Sequence, residues 1–131
     1  MLEQACWAIG CVNMAVSMVF SAIGHHKKSL DEAGKASMHR ACNIHQIASL
    51  GFMVLAHTGT DGVPPMIPLL MLSVATVLFP GVIYYKTLSG NKEFFMGRFV
   101  PMGGLLHMAF WCTMALYFKS STTGSPSLKM D

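Results

Sequence analysis

The chain has 131 residues, room for one ordinary domain, and is 53% hydrophobic but only 11% charged, where a water-soluble domain carries about 25% charged residues. That balance excludes water as the solvent for most of the surface. The net charge of +3 comes from nine basic and six acidic residues, and because the basic ones gather at predicted helix ends they form no nucleic-acid footprint. Cys6, Cys11, Cys42 and Cys112 sit in apolar stretches without CxxC spacing, so they read as small buried apolar residues and not as a disulfide framework or a zinc site.

The N-terminal stretch has neither the basic n-region and small-residue cleavage site of a secretory signal nor the Arg-rich amphipathic character of an organellar presequence. The first helix is therefore expected to stay. Cys6 to Gly24 is 19 residues without a charge, about 28 Å at the helical rise, close to the thickness of a bilayer's hydrocarbon core. Ser29, Leu30, Asp31 and Glu32 form a capping-box pattern that predicts the start of the second helix at Ser29. Its first turns carry Asp31, Glu32, Lys35 and Arg40 and belong in water or headgroups, an amphipathic extension; residues 41–58 are the second span. Gly59 supplies a stop, and Asp61 and Gly62 a turn.

Pro64 and Pro65 suit the start of a third helix, since a proline's missing N–H would be unbonded there anyway. The predicted span is 64–85, with Pro80 expected to kink or break it and to free a carbonyl that a neighbouring helix or side chain must satisfy. Tyr84, Tyr85 and Lys86 mark its water interface. Residues 92–98, with Phe94, Phe95 and Met96, read as a short segment lying in the headgroup layer. The fourth span is 99–118, with Pro101 in its first turn and Tyr117, Phe118 and Lys119 at its end. The Ser/Thr-rich residues 119–131 form a polar tail without a core of its own. The expected fold is an all-α membrane protein whose single domain, residues 1–118, holds four transmembrane helices.

Lys27, Lys28, Lys35, Arg40, Lys86, Lys92 and Arg98 belong to loops one and three, against only Lys119 and Lys129 on the other side. The positive-inside rule then puts loops 25–40 and 86–98 on the cytoplasmic or matrix side, with both termini opposite.

Four stretches carry a resemblance: Gly24, His25 and His26 ending the first span; Arg40 followed five residues later by His45; Phe79, Pro80, Gly81, Val82, Ile83 and Tyr84 with Leu88, Ser89 and Gly90 after them; and Pro101, Met102, Gly103 and Gly104 with Trp111 seven residues on. In order and at this spacing, over roughly residues 8–118, they resemble a small membrane family of unknown function that includes the transmembrane-protein-256-like proteins. The resemblance implies a compact four-helix membrane fold of bacterial inner membranes and eukaryotic organelles, and no known activity. The chain departs from the pattern at Pro80, where the family has a small polar residue; at Ala41, Cys42, Asn43 and Ile44, where it has aromatics; and at Phe110, where a glycine precedes the tryptophan. It is thus similar to a diverged member.

An ionisable group inside a membrane is a functional candidate because it costs energy unless it faces protein or water. His45 and His107 qualify, at depths of roughly 6 and 12 Å from the same side, and could meet. One reading makes them a haem, quinone or copper site with Cys42 or some of the 12 methionines as soft ligands. The favoured reading is that each imidazole hydrogen-bonds a neighbouring helix, for instance a carbonyl freed near Pro80, and fixes packing. Asn13 is read in the same way, as an interhelical hydrogen-bonding residue. Ser17, Ser21, Gly51, Gly103 and Gly104 let helices approach closely. All six acidic residues fall in loops or ends, against a proton-coupled transporter, and no Ser-His-Asp order, HExxH or phosphate loop points to catalysis.

The residues to which packing roles fall are Asn13, Arg40, His45, Pro80, Gly81, Tyr84, Pro101, Gly103, Gly104, His107 and Trp111. The expectation is a non-catalytic accessory subunit of a larger membrane complex, a respiratory-chain complex of the mitochondrial inner membrane, with other membrane subunits and lipids as partners and no cofactor assigned. The alternatives are a small transporter or a haem, metal or quinone carrier using His45 and His107, and a lipid-binding protein using residues 92–98.

Overall fold

The computed structural model describes residues 1–59, 65–91 and 93–123, and within these every regular element is helical. The described residues form four rods. The first two are α1 (Leu2–His26) and α2 (Glu32–Thr58). The third joins α3 (Met66–Thr76), a π turn (Val77–Gly81) and α4 (Val82–Ser89), and the fourth joins a 3₁₀ turn (Phe95–Phe99) to α5 (Val100–Thr123). α1 packs chiefly on α2 and α3 chiefly on α5, with α2 touching the third rod and α5 as well.

Three rods, Leu2–His26, Met66–Ser89 and Phe95–Tyr117, are long and apolar enough to cross a membrane. The predicted second span, 41–58, is helical throughout but does not belong to this apolar set. Its reason is position: α2 buries Met38, Ala41, Cys42, His45, Ala48, Ser49, Gly51, Phe52, Leu55 and Ala56. A helix covered by its neighbours has little lipid to meet and tolerates polar residues. Outward-facing Val12, Met18, Val19, Ile67, Leu70, Val77, Leu105, Met108 and Leu116 are each more than half exposed, a surface that suits lipid and not water. The molecule is an all-α membrane protein.

Several boundaries differ from the sequence expectation for local physical reasons. α2 begins at Glu32 because Asp31 is its cap, accepting the Gly34 N–H at 2.7 Å. Ser29 is instead held in a turn closed by Leu30 N–H donating to the Lys27 carbonyl, so the expected serine cap and its capping box do not form. A carboxylate there satisfies an orphan N–H and complements the helix dipole. Pro65 caps α3; Pro64, the turn at Asp61 and Gly62, and Lys92 lie outside the described residues.

The third rod runs four residues past Tyr85 and stops at Gly90, whose φ of 71° is the left-handed conformation glycine adopts without strain. Pro80 neither breaks nor sharply interrupts it. The helix widens by one residue, and the Val82 N–H reaches the Val77 carbonyl five residues back, so the backbone absorbs the missing proline donor within the rod. The fourth helix also outruns its predicted end at 118, because no glycine or proline stands between Phe118 and Gly124; residues 119–123 are its last turn, and the rest of the expected tail lies outside the described residues.

Two apolar clusters make the core. Cys6, Ala48, Phe52, Leu55, Ala56, Leu72, Phe110 and Met114 fill one end. Met38, Ala41, Cys42 and Tyr84, with Phe20, Ile83 and Leu88 against them, fill the end near the α1–α2 loop. That loop and the end of α4 are tied together by the Lys27 amine, which donates to the Leu88 carbonyl at 3.0 Å, so loops one and three share one end of the bundle.

Candidate functional site

Between the two clusters lies a polar layer built on His45, which is 5% exposed. Its Nδ1 is 3.2 Å from the Tyr84 hydroxyl and its Nε2 is 3.0 Å from Asn13 Oδ1. A neutral imidazole has one donor and one acceptor. Since Asn13 Oδ1 can only accept, Nε2 carries the proton and donates to it, and Nδ1 accepts from the tyrosine O–H. Three rods are thereby pinned to one ring. Ser49, one turn on, donates to the His45 carbonyl at 2.7 Å, which disposes of its hydroxyl in an apolar setting.

Tyr84 was expected at the water interface. It is 5% exposed and faces inward, stacked on Phe20 with ring centroids 4.1 Å apart, while Tyr85 is 51% exposed. Successive helix residues point about 100° apart, so of two adjacent tyrosines one can turn into the bundle while the other faces out. The sequence carries that signal but does not say which one turns in.

His107 is 6% exposed on α5. Its Nδ1 is 3.0 Å from the Gly103 carbonyl, to which it donates, so its partner is a turn of its own helix and not a carbonyl freed near Pro80. Nε2 has no hydrogen-bond partner among the described residues, and the Phe79 ring stands edge-on with centroids 6.3 Å apart. His45 and His107 each bond to other groups and not to one another. Among the described residues no three His, Cys, Asp or Glu side chains come together as a metal-binding group.

Gly103 explains how α5 reaches the π turn. A Cβ there would lie 2.8 Å from Phe79 N, 2.9 Å from Phe79 Cβ and 3.1 Å from Leu78 C, so the two backbones touch. Gly104 faces the Phe79 ring at an ordinary 3.6 Å. Pro80 is buried in the π turn. Gly81 is exposed and lines a cleft of about 810 Å³ whose wall includes Asn13, His45 and Tyr84. The remaining sequence candidates do not join this site: Arg40 and Pro101 are exposed, and Trp111, 38% exposed, has its ring against Phe110. Phe79, from the third of the resembling stretches, completes it together with Phe20 and Ser49, to which the sequence alone assigns no role.

Fold and site together define a helical membrane protein with a self-bonded polar layer between two apolar clusters. Within that class, a model of the family described as a protein of unknown function (DUF423) matches residues 20–104, well over half of the chain. The chain belongs to that family. The match contains the His45–Tyr84 bond, the π turn and Gly103, and stops short of Asn13 and His107 on either side. No solved structure matches the chain.

Proposed function

We propose that this protein is a non-catalytic accessory subunit of a larger membrane assembly. The observation that carries the reading is the saturation of His45: with Asn13 on one nitrogen and Tyr84 on the other, this buried imidazole has no lone pair or N–H left for chemistry and serves to lock three rods. Along α1, Ile9, Val12, Val16 and Val19 face outward on one side of the helix, an apolar face suited to lipid or to a neighbouring subunit. In its finer form the proposal places the chain among the transmembrane-protein-256-like proteins, in a respiratory-chain complex of the mitochondrial inner membrane. Loops one and three would face the matrix and both termini the other side. Extraction of the native membrane in mild detergent should yield the chain co-migrating with a larger complex. Recovery of a free monomer alone would refute the proposal.

One observation favours a second reading, a small transporter or a carrier of haem, metal or quinone: the buried, unpartnered Nε2 of His107. A haem absorption band or stoichiometric metal in the purified chain, lost on His107→Ala, would put this reading first.

A further inference from the structure

We propose that the protein holds one anionic glycerophospholipid, its phosphate at Lys27 and Lys86 and an acyl chain in the cleft below them. Two clefts meet at the end of α4. A polar one of about 490 Å³ is lined by Lys27, Ser29, Asp31, Lys86 and Ser89, among others. The apolar one of about 810 Å³ runs along the third rod, past Phe20, Tyr85 and Phe94. Leu88 and Ser89 line both, and the Lys27 amine is bound at that junction to the Leu88 carbonyl.

Each part of such a lipid finds its complement. An ammonium has three N–H donors; Lys27 uses one on Leu88 and keeps two for a phosphate oxygen. Lys86 leans over the 3₁₀ turn, its Nζ 2.7 Å from where a Cβ on Gly97 would stand, and lines the same polar cleft. Asp31, the one carboxylate among the described residues of the lining, is engaged at the α2 N-terminus with Gly34 N–H. From Ser89 to Thr76, both on the apolar cleft, the rod covers about 20 Å at the helical rise. One leaflet contributes roughly 15 Å of hydrocarbon, so the groove is deep enough for a chain hanging from the polar cleft. Aromatic Tyr85 and Phe94, tilted with centroids 4.5 Å apart, stand at the level where headgroup gives way to chain. This site goes beyond the subunit proposal and holds whether or not the chain has protein partners.

The full chain, purified in a mild detergent, is offered dioleoylphosphatidylglycerol, dioleoylphosphatidylcholine or glycerol 3-phosphate, and bound molecules are counted by native mass spectrometry. One phosphatidylglycerol should be retained in preference to phosphatidylcholine, and glycerol 3-phosphate should not bind. Lys27→Gln and Lys86→Gln should each lower the preference about fivefold, the scale of one cation near a headgroup. Val77→Trp fills the apolar cleft from a position 62% exposed and should lower retention of both lipids at unchanged helicity. This third variant leaves the tie between Lys27 and Leu88 intact, so it reads the site even if the lysine variants fold poorly. Equal retention of the two lipids by the wild type, indifference to Val77→Trp, or binding of glycerol 3-phosphate as tight as that of phosphatidylglycerol would overturn the proposal.

Discussion

Replacing Gly103 by alanine sets a methyl group 2.8 Å from the Phe79 nitrogen and 2.9 Å from its Cβ, where relaxed heavy-atom contacts lie at about 3.5–4.0 Å. Both obstacles belong to, or are fixed to, the backbone of the π turn, so no side-chain rotation clears them, and α5 and the third rod must part by roughly half an ångström. Overpacking of this kind costs about 1–3 kcal/mol. Alanine recovers roughly 0.5–1 kcal/mol of helix propensity, leaving a net loss of about 1–2 kcal/mol. Gly104→Ala is the internal control. Its Cβ meets only the Phe79 ring at 3.6 Å, an ordinary contact, so the same propensity gain stands unopposed and stability should hold or rise slightly. Unfolding by sodium dodecyl sulfate titration in mixed micelles, followed by circular dichroism, compares the two. A Gly103→Ala protein as resistant as Gly104→Ala would mean that the two backbones do not touch at the π turn.

Tyr84→Phe strips His45 Nδ1 of its donor and Asn13→Ala strips Nε2 of its acceptor; each should cost about 0.5–2 kcal/mol in the same titration, between membrane-helix and buried-group values. Because both act through one ring, the double variant should lose less than the sum, and strict additivity would deny the shared network. His107→Leu deletes a buried nitrogen without a partner and one hydrogen bond within its own helix, so it should cost under about 1 kcal/mol; a loss beyond about 2 kcal/mol would reveal a partner on Nε2. Cys6 and Cys42 are buried as expected, whereas Cys11 and Cys112 are exposed; with those two changed to serine, Lys28→Cys and Glu93→Cys should react with an impermeant maleimide from the same side of a sealed vesicle and Leu2→Cys from the other. Labelling of the first two from opposite sides would contradict the Lys27–Leu88 tie.

Local sequence determined what depends on the chain's own neighbourhood. Long uncharged stretches such as Cys6 to Gly24 must be helical in lipid, because a backbone that cannot reach water has to bond to itself. Lysines and arginines mark the ends that stay wet, and Gly90 ends its helix by a conformation open to few other residues. His45, His107 and Asn13 were legible as intramembrane polar groups that need partners.

Only the tertiary structure decided who those partners are. Asn13, His45 and Tyr84 come from three rods separated by 32 and 39 residues, and nothing local to any of them names the others. Which of two adjacent tyrosines turns inward depends on where Phe20 stands. The widening at Pro80, in place of a kink, accompanies an α5 that approaches through Gly103 to backbone contact. α2 can be the least apolar of the four rods because its neighbours take the lipid-facing positions, a division of surface that exists only once all four are packed.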